Sequence, residues 1–174
     1  FSDGIYGGRD VQKISTCQTD AFDSKDFGGM GYMVDGVPYF YNDSVKCHTT
    51  ETEFDVSSLK ELPKVGVAYF TIDADPEILD YYKESGVQGI VIAGAGSGCY
   101  SEQWNNKIDE LAETGIPVVR CSRIGSGVIT QDDYFIGNIA RGNDLAPQKA
   151  ATLLRLILTV TNDIEQVQNM FDKY

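Results

Sequence analysis

Basic charge is scarce in this chain. Fourteen lysines and arginines face 26 aspartates and glutamates, for a formal net charge of −12. A surface with that balance repels phosphate backbones and anionic bilayers, so neither nucleic acid nor a membrane is expected as the main partner. Histidine is scarcer still. His48 stands alone, and Cys17, Cys47, Cys99 and Cys121 form no C-x-x-C pair. No usual zinc pattern can be drawn from that set, and no metal site is expected. Buried free thiols are the expected state of the cysteines. Long apolar runs are also missing: the longest, residues 153–160, is interrupted by Arg155 and falls well short of a membrane span. No signal peptide opens the sequence. Its first residue is Phe1 rather than Met, which points to processing, cleavage or an incomplete chain.

What remains is apolar enough to fold. Hydrophobic residues make up 42% of 174, enough for a core in one large domain or one and a half small ones. The most informative stretch is Gly89-Ile90-Val91-Ile92-Ala93, followed by Gly94-Ala95-Gly96-Ser97-Gly98-Cys99-Tyr100. A short, unbroken, β-branched run reads as a strand buried on both faces of a parallel sheet. Ligands of open α/β sheets sit beyond the carboxyl ends of strands, at a topological switch point, which makes residues 94–100 a candidate site. The glycines alone fit a tight strand-to-helix turn equally well. A dinucleotide fingerprint fits poorly: Cys99 stands where G-x-G-x-x-G needs glycine, and no cofactor is expected.

The rest of the chain supplies the context. Val11 to Thr16 reads as a short strand or a loop. Gly31-Tyr32-Met33-Val34 and Val37-Pro38-Tyr39-Phe40-Tyr41, joined by Asp35-Gly36, read as a hairpin whose second strand lies at a sheet edge because of Pro38. Residues 1–50 hold too little apolar mass for a core and resemble the tail of another domain; residues 51–64 read as a linker. From Val65 the pattern becomes strand, helix, strand, helix, strand. Val65 to Phe70 is a strand; a helix capped by Asp75 and opened by Pro76 follows, with Ile78, Leu79 and Tyr82 as its buried face and Gly86 at its end. Ser101 caps a second helix with Trp104, Ile108 and Leu111 inward, and Pro117 to Cys121 is a third strand. Pro147 opens a helix with Ala150, Leu153, Leu154 and Ile157 on one face; Ile164, Val167 and Phe171 mark a last one. Such alternation builds βαβ units and a parallel sheet. Polar loops at residues 71–75, 94–100 and 121–127 then share one edge of that sheet. Asp132 and Asp133 read as a solvated acidic turn, Lys13 as surface charge, and Arg120 and Arg123 as partners of carboxylates. From the residues alone the reading stops at an α/β domain with a small-molecule site.

Several ordered segments carry a resemblance. Gly8-Arg9-Asp10-Val11-Gln12-Lys13, Lys46-Cys47-His48-Thr49, Phe54-Asp55-Val56, Glu61-Leu62-Pro63-Lys64-Val65-Gly66, Gly89 to Gly98, Val118-Val119-Arg120-Cys121-Ser122-Arg123, Asp144-Leu145-Ala146-Pro147-Gln148-Lys149-Ala150 and Phe171-Asp172-Lys173-Tyr174 resemble the carboxyl-terminal half of type II (bacterial-type) L-asparaginases and glutaminase-asparaginases. The resemblance implies an α/β fold: a flavodoxin-like, three-layer, parallel-sheet domain over residues 65–174, preceded by the tail of an incomplete amino-terminal α/β domain with a β-hairpin. It also implies an amidohydrolase that releases ammonia from L-asparagine, with L-glutamine open as a second substrate, through acyl transfer to a threonine. The amino-terminal half that carries the family's Thr-Gly-Gly-Thr nucleophile motif and Thr-Asp pair is missing, so a companion half is an implied partner and the chain alone is not expected to hydrolyse anything. The family assembles as a homotetramer with shared sites, and a periplasmic or secreted location is implied.

Residue by residue, Lys13 matches the lysine of the family's Thr-Asp-Lys relay. The loop with Ser97 and Cys99 matches the segment a neighbouring subunit inserts into the active site, and Cys99 stands where Asn or Ser contacts the substrate's α-amino end. An acidic residue is expected shortly after Thr130-Gln131. Its ungapped place falls on Tyr134, with Asp132 or Asp133 as substitutes. The rival reading is a non-catalytic binding or assembly module that keeps the scaffold without the nucleophile.

Overall fold

The computed structural model describes residues 1–135, 137 and 139–174. They group into two compact units, Phe1–Cys47 and His48–Tyr174.

The first unit is built from short antiparallel strands. β1 (Gly4–Ile5), β4 (Gly31–Val34) and β5 (Val37–Phe40) form one sheet in the order β1-β4-β5, while β2 (Gln12–Lys13) and β3 (Phe22–Asp23) pair separately. The hairpin expected from Asp35-Gly36 is present: Val34 pairs with Val37 across a two-residue turn in which both residues have positive φ, +50° and +78°. That is the turn whose twist suits antiparallel strands, and Asp-Gly is among its preferred sequences. Pro38 sits on the edge strand, where its missing N–H costs no ladder bond. Both faces of the hairpin stay open. Tyr32, Val34, Val37, Tyr39 and Phe40 are all exposed, and Ala21 is the single buried apolar side chain among the described residues of this unit.

The second unit holds a four-stranded parallel sheet, β6 (Val65–Tyr69), β7 (Gly89–Gly94), β8 (Val118–Ser122) and β9 (Ile139–Arg141), in the order β6-β7-β8-β9. α1 (Ile78–Glu84) and α2 (Glu102–Ala112) cover one face; α3 (Pro147–Ile157) and α4 (Ile164–Lys173) cover the other. The three layers follow from period-two alternation on β7, all six of whose residues are buried. Ile90 and Ile92 enter the cluster with Leu79, Trp104 and Ile108, and Val91 enters the opposite one with Leu154, Val167 and Phe171. The sequential strand order contains no reversal, so the candidate loop lies beyond the sheet's carboxyl edge without the expected switch point.

Four local expectations need correction. α1 begins at Ile78, two residues after Pro76, because residues 75–79 first make a tighter turn; Asp75 accepts from the Glu77 N–H at 3.0 Å within that turn, and Glu77, not Asp75, is the N-cap of α1. Ile78 is exposed rather than buried: it lies about 100° round the helix from Leu79, which faces the core. Leu153 is only partly buried, packed at the margin of the core that Ala150, Leu154 and Ile157 enter. β9 was not expected, three residues being too few to show a period. Its outer edge is closed by α4: Gln168 accepts from the Arg141 N–H at 2.7 Å and its amide approaches the Arg141 carbonyl at 3.5 Å. Ser101 caps α2 as expected, accepting from Trp104 N. No helix among the described residues is long and apolar enough to cross a membrane.

Trp104 joins α2 to the loop after β6. Its indole N–H donates to the Ala74 carbonyl at 2.7 Å, and its ring meets Phe70 edge-on at 5.4 Å. Trp104→Ala is expected to lower stability by about 3–5 kcal/mol. The exposed α2 substitution Gln103→Ala is expected to stay within about 0.5 kcal/mol of the parent. Urea midpoints of the two variants check this; equal shifts would contradict the packing described.

Candidate functional site

Parallel strands deliver their carboxyl ends to one edge, so the loops after β6, β7 and β8 emerge together. The connections are explicit. Arg123 donates through Nη1 to the Phe70 carbonyl and through its backbone N–H to the Gly94 carbonyl, both at 2.9 Å. The Ser122 hydroxyl donates to the Gly96 carbonyl at 2.5 Å and accepts from the Ile124 N–H at 2.9 Å. Arg123 thus binds a carbonyl instead of the expected carboxylate.

The loop after β7 is a miniature hairpin. Ala95 and Cys99 exchange backbone hydrogen bonds of 2.8 and 2.7 Å, which lift Gly96, Ser97 and Gly98 to its tip. Gly98 has φ +80°, and a Cβ there would lie 3.1 Å from both Arg120 Cγ and Ile129 Cδ1. Conformation and space both demand glycine. Ser97 and Cys99 are exposed at the rim, while Tyr100 turns inward with 7% of its surface exposed.

Beneath the loop lies Arg120, 2% exposed. Alternation on β8 sends Val119 and Cys121 toward α3 and α4, and Val118 and Arg120 the other way. Arg120 also finds no carboxylate at salt-bridge distance among the described residues. Its Nη1 donates to the Ser97 carbonyl at 2.9 Å and its Nη2 to the Thr130 carbonyl at 2.8 Å. The guanidinium sits 4.1 Å above the Phe135 ring, which meets Tyr100 and Tyr134 edge-on at 4.9 Å each. Burial lowers the Arg120 pKa and raises that of the Tyr100 phenol, in both cases by disfavouring the charged form. An arginine that begins far above neutrality keeps its proton.

Asp132 is exposed and accepts from the Tyr134 N–H at 2.9 Å, and its negative charge favours the Arg120 cation. The side chain of Asp133 lies outside the described residues. Ser97, Cys99, Asp132 and Tyr134 thus belong to two segments that Arg120 joins. Lys13 belongs to the first unit, where it pairs with Phe22 across β2 and β3 and its ammonium lies 5.1 Å from the Phe22 ring centre. Among the described residues no three His, Cys, Asp or Glu side chains are grouped to hold a metal ion. The edge therefore offers a hydroxyl, a thiol and a carboxylate suited to hydrogen-bonding a small polar ligand. Arg120 was mistaken in sequence for a carboxylate partner; its inward register, Val118-Arg120 against Val119-Cys121, was the available signal.

Polar loops gathered at the carboxyl edge of a three-layer α/β domain stand where such folds hold their ligands, and comparison with known proteins gives the family. The family model of the Glutaminase/Asparaginase C-terminal domain matches residues 64–171. This chain belongs to the glutaminase/asparaginase family. It is 38% identical over 175 residues to L-asparaginase 2 of Bacillus subtilis, with 100% of this chain and 46% of that protein covered. Identity to L-asparaginase 2 of Escherichia coli is 39% over 178 residues, covering 100% and 51%. A crystal structure of a probable cytoplasmic L-asparaginase from Campylobacter jejuni superposes with a TM-score of 0.93 at 39% identity, covering 99% of this chain and 57% of that one. The chain spans about half the length of the curated relatives it matches.

The cysteines differ from expectation. Cys17 and Cys99 are exposed and Cys47 is half-buried, because all three lie in loops; only Cys121, on a central strand, is buried. Burial pushes the Cys121 thiol up to about 12. Since the thiolate is the reactive form, a chromogenic disulfide reagent at about pH 8 is expected to react promptly with Cys17 and Cys99 and with Cys121 only after denaturation. Prompt labelling of Cys121 in the native protein would contradict its placement.

Proposed function

We propose that this chain is the carboxyl-terminal part of an L-asparaginase or glutaminase-asparaginase, an amidohydrolase that releases ammonia and aspartate from L-asparagine and accepts L-glutamine as a second candidate substrate. The observation that carries this reading is similarity along the entire chain to proteins named L-asparaginase, at 38% and 39% identity. In this reading the nucleophilic threonine belongs to the half of the family protein that this chain does not span. Residues 1–50 complete that amino-terminal domain, residues 51–64 link it to the next, and residues 65–174 form the carboxyl-terminal domain. The open faces of the β4–β5 hairpin, with Tyr32, Tyr39 and Phe40 exposed, support a role as part of a larger domain.

The chemistry divides accordingly. Threonine is a weak nucleophile at its ordinary pKa and needs a neighbouring base to take its proton. Lys13, beside an aspartate of the companion half, completes that relay. The loop bearing Ser97 and Cys99 reaches into a neighbouring subunit's site within a homotetramer, with Cys99 against the substrate's α-amino end and Asp132 or Asp133 as the accompanying carboxylate. A thiol is a weaker hydrogen-bonding group than an amide or hydroxyl, so selectivity among amino-acid substrates rests heavily on this position. A periplasmic or secreted location goes with the family resemblance, whereas the Campylobacter neighbour carries a cytoplasmic name; cell fractionation decides the compartment.

In the full-length assembly, coupled ammonia detection with L-asparagine is expected to give robust turnover, and Lys13→Met is expected to cut kcat by about a hundredfold or more. Unchanged turnover in that variant would remove Lys13 from the relay. No ammonia release from the parent assembly would leave the non-catalytic binding or assembly reading in place of the enzyme.

A further inference from the structure

Arg120 is the one cation in the described residues that sits 2% exposed, and its partners explain why it is there. It does not answer a carboxylate. It answers two carbonyls from segments 33 residues apart in sequence, Ser97 at the tip of the loop after β7 and Thr130 in the segment after β8. A planar guanidinium with diverging N–H groups can hold both at once and still present its face to a ring, here Phe135 at 4.1 Å. Lysine, with a compact ammonium on a flexible stem, has no equivalent fork.

Those segments carry the exposed groups of the candidate site. Ser97 and Cys99 lie on one; Asp132 and the exposed Tyr134, whose N–H donates to it, lie on the other. Neither segment is held by regular secondary structure at its contact point with Arg120. Gly96 and Gly98 take φ of +51° and +80°; the Ala95–Cys99 pair closes the base of the loop, and at its tip Ser122 and Arg120, both from β8, hold the Gly96 and Ser97 carbonyls. Arg120 grows from β8, a strand buried on both sides, and therefore supplies a rigid reference for both segments.

We propose that Arg120 is a positioning residue for substrate selection: by clamping the Ser97 and Thr130 carbonyls together over Phe135, it sets the separation between the thiol of Cys99 and the carboxylate of Asp132. This rests on the amidohydrolase reading above. Arg120 touches no reacting atom; it acts through the groups it holds. Loss of the clamp leaves the β7 and β8 cores intact and lets the two rims move independently, which weakens substrate binding before it slows chemistry.

The test uses Arg120→Lys and Arg120→Met in the full-length assembly, with two readouts. Amide hydrogen exchange at Ala95 and Cys99, whose N–H groups close the loop, is expected to quicken about tenfold while the Val91 and Leu154 amides keep their protection. In steady-state kinetics, KM for L-asparagine is expected to rise about five- to tenfold with kcat within about twofold, and the asparagine-to-glutamine preference to fall, with Arg120→Lys failing to rescue. Parental exchange at Ala95 and Cys99 in a folded variant overturns the clamp. Faster exchange with unchanged KM and substrate preference overturns its role in selection, as does full rescue by lysine. If the parent assembly releases no ammonia at all, the amidohydrolase reading and the selection role fall together, while the exchange readout still decides whether Arg120 clamps the two segments.

Discussion

A strand with no solvent-facing side has to be covered twice, and β7 is such a strand. All six of its residues are buried, and neither neighbour in the sheet leaves it an edge. Ile90 and Ile92 require the α1–α2 layer; Val91 requires the α3–α4 layer. Each such side chain contributes about 1.5–3 kcal/mol on burial, so the two layers are held by the same few residues. The parallel direction goes with α1 and α2, the crossovers that carry the chain from β6 to β7 and from β7 to β8, while α3 and α4 follow β9 and cover the other face. The position of the site follows, since parallel strands all release their loops at the same edge.

At that edge the apolar logic of β8 is broken once, at Arg120. A buried cation is tolerated where it is hydrogen-bonded, and here two carbonyls accept from Nη1 and Nη2 while an aromatic ring lies against its face. The consequence is architectural. A glycine-bearing loop and an irregular segment are both tied to a strand buried on both faces. In the proposed reading this rigidity matters for selecting between L-asparagine and L-glutamine, since one methylene in a pocket is worth only about 1–3 kcal/mol. On the same proposal, cysteine at position 99 makes the geometry of its surroundings more important, because a thiol forms only a weak hydrogen bond.

Much of this was readable from residue order. The β7 run, the Ser101 cap with Trp104, Ile108 and Leu111 inward, the Pro147 start and the Asp35-Gly36 turn each obey a local rule strongly enough to stand in sequence. β9 did not, because three residues show no period and its edge is closed by Gln168, 27 residues away. Ile78 reads as core because it is apolar, but adjacent helical residues point about 100° apart, and Leu79 takes the inward position. The partners of Arg120 were hidden for a deeper reason. Charge in a sequence suggests opposite charge, whereas the backbone carbonyls that satisfy it are invisible until the loops that carry them are placed.

The most direct measurement is a crystal structure of the full-length assembly with L-aspartate bound. The expected result is a shared site: Cys99 of one subunit against the ligand's α-amino end, Arg120 still bridging the Ser97 and Thr130 carbonyls, and Lys13 hydrogen-bonded to the aspartate beside the catalytic threonine. A ligand enclosed by a single subunit, with Cys99 left in solvent and Lys13 remote from the threonine, would contradict it.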